Sequence, residues 1–107
     1  MDLSEKKCVP CTKGTLPLKE AALKAYEKEL SPGWVIIDER LLSREFLFKN
    51  FQQALDFTNK VGALAEVEKH HPDIHLSWGK VKIELWTHKI DGLSENDFIL
   101  AAKISRI

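Results

Sequence analysis

The chain of 107 residues predicts an α+β fold: a four-stranded antiparallel sheet with helices packed on one face, in the order α-β-β-α-β-β-α. Two observations carry that reading. Apolar residues recur at three- and four-residue steps in some blocks and alternate in others, so helical and strand periods take turns along the chain. The extended blocks also come in two pairs, each joined by a short polar or glycine-containing turn, which makes each pair a hairpin. Length agrees, since a chain of this mass exposes roughly 6,000 Å² folded against about 18,000 Å² unfolded, enough burial for one core without disulfides.

Residues 1–14 read as a polar arm without periodicity, and 15–107 as the folded domain. From Leu16 to Leu30 the positions Leu18, Ala22, Leu23, Tyr26 and Leu30 form a helical stripe, with Pro17 in the first turn and Ser31-Pro32-Gly33 as the stop. Trp34–Ile37 is a β-branched run, Asp38-Glu39-Arg40 a turn, and Leu41–Phe48 the returning strand. Alternation places Leu42, Arg44, Phe46 and Phe48 on one face and Leu41, Ser43, Glu45 and Leu47 on the other. Neither set is cleanly polar, so both faces are expected to be covered. Asn50 is the N-cap of a second helix, Phe51 to about His70, with Ala54, Phe57, Val61, Leu64 and Ala65 as its stripe. The small residues Gly62, Ala63 and Ala65 are expected to let that helix approach the sheet, and Pro72 to end it. Ile74–Trp78 and Val81–Thr87 form the second hairpin around Gly79-Lys80. Ser94 caps a last helix, with Asp97 completing an approximate capping box and Phe98, Ala101 and Ala102 buried.

Sixteen basic residues balance sixteen acidic ones, which excludes a basic nucleic-acid binder as a whole-chain description. No apolar run reaches membrane-spanning length, and the N-terminus has no apolar block that could serve as a signal peptide. Two cysteines cannot staple a domain of this size, so a reducing, cytoplasmic setting is expected. Cys8-Val9-Pro10-Cys11 has redox or zinc spacing, yet one such pair supplies two of four zinc ligands and no strand precedes it. A mobile arm is the reading, with a labile metal or thiol role as the alternative.

All four histidines, His70, His71, His75 and His88, fall within nineteen residues. If Trp78 pairs with Val81, antiparallel partners sum to 159 and His88 lies opposite position 71, within a residue or two set by the turn. The hairpin therefore returns His88 to the end of the second helix, beside His70 and His71. A helix C-terminus favours a charged His70, and partial burial at a strand end favours a neutral His88, which suits one acid and one base. The plainer alternatives are a capping role for His70 and a surface or packing role for His75. Metal ligation, with Glu66 and Glu68 as possible helpers, is the next alternative and ranks well behind metal-free acid–base work, because adjacent His70 and His71 point to different sides and no cysteine is near.

At these positions the sequence resembles the pterin-4a-carbinolamine dehydratase family. That family's pattern is an acidic residue, three spacers, His-His-Pro, an aromatic residue, a second histidine after nine spacers, and an aspartate. It is met by Glu66, His70-His71-Pro72, Trp78, His88 and Asp97. Pro32-Gly33-Trp34 and Gly92-Leu93-Ser94 agree in the flanks, and the likeness covers about residues 16 to 105. Trp86 departs from the pattern, standing where a smaller residue is expected.

The resemblance implies a lyase that removes water from 4a-hydroxytetrahydropterin and so recycles the pterin used by aromatic amino acid hydroxylases. It implies no metal and no organic cofactor. The catalytic trio would be His70, His71 and His88, with His70 and His88 as the acid–base pair and His71 chiefly binding. Glu66, Pro72, Thr87, Lys89 and Ile90 would hold the pterin, while Asp97 is explained equally well as a cap. A homodimer or homotetramer is implied too, in keeping with apolar Phe46, Phe48 and Trp86 on more than one sheet face. Some animal members also serve as dimerisation cofactors for a transcription factor, which is the alternative function.

Overall fold

A computed structural model of the protein describes residues 3–8 and 17–107. Its elements are α1 (Glu20–Glu27), β1 (Val35–Ile37), β2 (Leu41–Leu47), α2 (Phe51–Glu68), β3 (Asp73–Ser77), β4 (Lys80–Leu85) and α3 (Glu95–Ile104). Short 3-10 turns occupy Leu3–Glu5 and His88–Ile90. The strands form one antiparallel sheet in the order β1-β2-β4-β3, and the helices lie on one face. The expected element order is therefore the observed one.

Each hairpin follows from its turn. Asp38 and Glu39 both adopt positive φ, 52° and 55°, and Arg40 N–H closes on the Ile37 carbonyl at 2.9 Å. That is the primed turn whose twist matches two paired strands. In the second hairpin Ser77 pairs with Lys80 and Asp73 with Glu84, so partners sum to 157. The turn is Trp78-Gly79, two residues away from the expected sum. An even slip leaves every side chain on its expected face. Ile36, Leu42, Phe46, Ile74, Leu76, Val81, Ile83 and Leu85 accordingly form the inner face of the sheet.

Several expectations need correcting. Helix α1 begins at Glu20, not Leu16, because Leu18 N–H is taken by the Leu93 carbonyl at 2.8 Å and Lys19 is extended. Pro17 is therefore outside the helix; it packs against Gly92, where a Cβ would lie 2.7 Å from the proline ring. Helix α2 stops at Glu68, before Pro72 can act, because Lys69 turns into the left-handed region at φ 55°. Asn50 does cap it, accepting from Gln53 N–H at 2.8 Å. Gly62 meets nothing within 4 Å and Ala63 is exposed, so only Ala65 of the three small residues serves close packing.

Phe46 and Phe48 are not spare surface. Both pack on Phe57 of α2, with ring centroids 4.6 and 5.1 Å away, and Phe46 also meets Trp34 edge-on at 6.1 Å. The exposed apolar residues of the outer sheet face are instead Val35, Ile37 and Leu47, the last 79% exposed.

Helix α3 is the centre of the molecule. Phe98, Ile99, Leu100, Ala101, Ala102 and Ile104 are all buried, more than the three residues expected. A helix apolar all round must be covered all round. α1, α2 and the N-terminal segment, whose Leu3 is buried, all lie against it, and it shares one core with the inner face of the sheet. Lys6 Nζ reaches Glu95 at 2.8 Å, and Tyr26 donates to the same carboxylate at 3.0 Å. Residues 3–8 are thus docked where a free arm was expected, while Cys11 lies outside the described residues. No helix among the described residues is long and apolar enough to cross a membrane.

Candidate active site

The end of α2 sets the first two imidazoles. With Lys69 left-handed, the N–H groups of Lys69 and His70 both turn back to the Ala65 carbonyl, the latter at 3.2 Å. The chain leaves the helix sharply, which sends His70 inward and His71 outward. His70 is only 14% exposed in its side chain and meets the fully buried Asp97 of α3, Nε2 to Oδ1, at 2.6 Å. His71 stays exposed and bonds Glu66 Oε2 through Nε2 at 2.5 Å. Glu66 therefore orients His71 rather than His70.

Asp97 has three donors. Beyond His70, its Oδ2 accepts from the Thr87 hydroxyl at 2.8 Å and from Ser94 N–H at 2.9 Å. The bond to Ser94 N–H is half of the capping box of α3, so one carboxylate both caps a helix and holds an imidazole. An ionised carboxylate only accepts, so His70 Nε2 carries the proton in this bond and Nδ1 is the ring's remaining nitrogen. Thr87 and Ser94 hydroxyls are 2.8 Å apart, closing the network in the buried interior.

His88 arrives differently from expectation. β4 ends at Leu85, and His88 opens the 3-10 turn His88–Ile90 instead of ending the strand. The turn sits in a loop pinned at its neck, where Thr87 N–H donates to the Gly92 carbonyl at 2.8 Å and Asp91 takes a left-handed conformation at φ 50°. His88 is exposed, so the partial burial expected of it is absent. Its ring stacks on Trp86, with centroids 4.0 Å apart and planes 28° apart.

The three histidines nevertheless share one cavity. His70, His71 and His88 line one cavity of about 280 Å³, together with Thr87 and Lys89. Of the other anticipated binding residues, Glu66, Pro72 and Ile90 are not among its walls, and His75 lies on the outer sheet face, bonded to Glu84 at 2.8 Å. Among the described residues no three His, Cys, Asp or Glu side chains come together as a metal-holding group.

Cys8, Glu68, Trp86 and Asn96 also line the wall, and the sequence reading gives none of them a binding or catalytic role. Cys8 is brought in by its backbone, whose N–H donates to Glu68 Oε1 at 2.9 Å, while its thiol donates to the Asn96 carbonyl at 3.6 Å. Glu68 is 7% exposed and also pairs with Lys103 at 3.1 Å. Burial pushes the Glu68 carboxyl up, but the Cys8 N–H and the Lys103 ammonium outweigh it and hold it below its ordinary value. Sixty residues separate Cys8 from Glu68, and an aperiodic arm carries no signal of such a contact.

Burial first, and then the adjacent Glu68 charge, push the Cys8 thiol up to about 12. Reactivity follows the thiolate. In a Cys11→Ser variant at pH 8, Cys8 should therefore react with iodoacetamide at least about 10²-fold more slowly than a free cysteine. Mass spectrometry of timed samples reads this directly, and alkylation at the free-cysteine rate would show that the thiol is neither buried nor beside Glu68.

Comparison with known proteins gives a consistent result. Residues 16–107 match the family described as pterin 4 alpha carbinolamine dehydratase. A protein of Alkaliphilus metalliredigens, named putative pterin-4-alpha-carbinolamine dehydratase, is 57% identical over 98% of this chain and 95% of its own length. One of the same name from Rubrobacter xylanophilus is 53% identical over 99% of this chain and 98% of its own. Among solved structures, a transcriptional coactivator/pterin dehydratase of Brucella melitensis superimposes with a TM-score of 0.78 at 31% identity, covering 84% of this chain and 96% of that one.

Proposed function

Because this chain belongs to the pterin-4a-carbinolamine dehydratase family, we propose that it converts 4a-hydroxytetrahydropterin to quinonoid dihydropterin and water by proton transfer through histidine. The observation that carries the proposal is the gathering of three imidazoles, one of them held by a buried carboxylate, around a single cavity. Its volume is close to the roughly 300 Å³ at which small-ligand pockets begin.

The reaction asks for little besides protons. The N5 lone pair forms the C4a=N5 double bond as the C4a–O bond breaks, the departing hydroxyl takes a proton to leave as water, and N5 gives up its own proton. His70 is suited to receive the N5 proton at Nδ1, because Asp97 fixes the ring at Nε2 and stabilises the imidazolium that forms. His88, exposed and in exchange with solvent, is suited to protonate the hydroxyl. His71, tied to Glu66 at the cavity, and Lys89 bind the pterin. The product then enters the recycling of tetrahydropterin for aromatic amino acid hydroxylases.

The Brucella structure carries a coactivator name as well as a dehydratase name. A scaffold role has no use for an Asp97–His70 pair directed at a cavity, which favours catalysis here. Synthetic 4a-carbinolamine is the test. The protein should accelerate its dehydration, and prior treatment with a chelator should leave the rate unchanged. No acceleration would refute the activity; loss on chelation would refute the metal-free mechanism.

A further inference from the structure

We propose that Trp86 is a positioning residue for His88, holding by ring stacking an imidazole that no hydrogen bond fixes among the described residues. The inference rests on the reading of His88 as a proton-transfer group. The three cavity histidines are held unequally. His70 has Asp97 and His71 has Glu66, whereas the His88 ring has no polar partner among the described residues. It is exposed and sits in a loop turn, where its side-chain torsions are free to populate several staggered wells. A proton donor needs one of them.

The indole supplies that restraint. Its centroid is 4.0 Å from that of the imidazole with the planes 28° apart, within the geometry of attractive ring pairs. Trp86 is itself anchored on two sides. Its Nε1–H donates to Asp73 Oδ2 at 3.4 Å, and the Arg40 guanidinium carbon lies 5.5 Å from the ring centroid. Arg40 also pairs with Asp91, the residue that closes the His88 turn. The β1–β2 turn, the start of β3 and the His88 loop are thereby linked through one indole. Trp86 also lines the cavity, so direct contact with the pterin is the competing explanation of any effect.

Trp86→Ser and Trp86→Phe separate the two. In the free protein, the His88 ring-proton resonances, assigned by their loss in His88→Ala, should be shifted upfield by the indole. They should move toward solvent-exposed values in Trp86→Ser and remain shifted in Trp86→Phe. In turnover, Trp86→Ser should lower kcat about fivefold or more with a smaller change in KM, and Trp86→Phe should recover most of the loss. Unmoved His88 resonances in Trp86→Ser, a loss confined to KM, or equal losses in both variants would overturn the proposal. If the wild type fails to dehydrate the carbinolamine, the functional reading fails on its own, while the resonances still decide whether the indole holds the ring.

Discussion

Replacing His70 with alanine lowers kcat/KM for carbinolamine dehydration by about 10²- to 10⁴-fold, the range general acid–base groups contribute. The size of the effect follows from how the ring is held. A 2.6 Å bond to a fully buried carboxylate holds the ring at Nε2 and leaves Nδ1 as the nitrogen for proton transfer. A water occupying the space left by the ring has neither the basicity nor the fixed direction. The fold survives, because His70 lies beyond the end of α2 and outside the apolar core. Steady-state kinetics with far-UV circular dichroism measures both halves, and a folded variant with wild-type kcat/KM would remove His70 from the mechanism.

Asp97 gives the second large effect, and two substitutions divide its duties. Alanine leaves the Thr87 hydroxyl and Ser94 N–H without this acceptor in the buried interior, and His70 Nε2–H without its partner at the cavity wall. Each such orphan costs about 1–3 kcal/mol, and a lost cap about 1 kcal/mol. Because the losses share one network and do not add in full, Asp97→Ala should lose about 3–5 kcal/mol in urea denaturation. Asparagine keeps one oxygen for the cap but offers an amide donor to His70, which forces the ring into the tautomer with its proton on Nδ1. Asp97→Asn should therefore keep more of the stability than alanine and still lose at least about tenfold in kcat, as wrong-tautomer variants do. Wild-type turnover in Asp97→Asn would show that the carboxylate is only a cap.

Much of this arrangement is legible in the sequence. Alternation at Val81, Ile83 and Leu85 identified the inner face of β4, and hairpin arithmetic brought His88 back toward His70 and His71. That arithmetic tolerated its error because a slip of two residues preserves the faces. What the sequence could not show depends on contacts remote along the chain. Leu18 loses its place in α1 to the Leu93 carbonyl, and Cys8 reaches the cavity through Glu68. Lys69 ends α2 ahead of Pro72 by adopting a conformation that lysine rarely does, so the proline was the visible signal and the wrong one. Asp97 was visible as a cap three residues after Ser94. Its second oxygen, aimed at His70, depends on how α3 docks against the end of α2, and no local pattern encodes that.

The claim on which all of this depends is that imidazoles at 70 and 88 move the protons. The most direct measurement is the dehydration rate of synthetic 4a-carbinolamine with the His70→Ala/His88→Ala double variant beside each single one. The double variant should be folded and at least as slow as the slower single variant. A folded double variant that still turns over at the wild-type rate would contradict that claim.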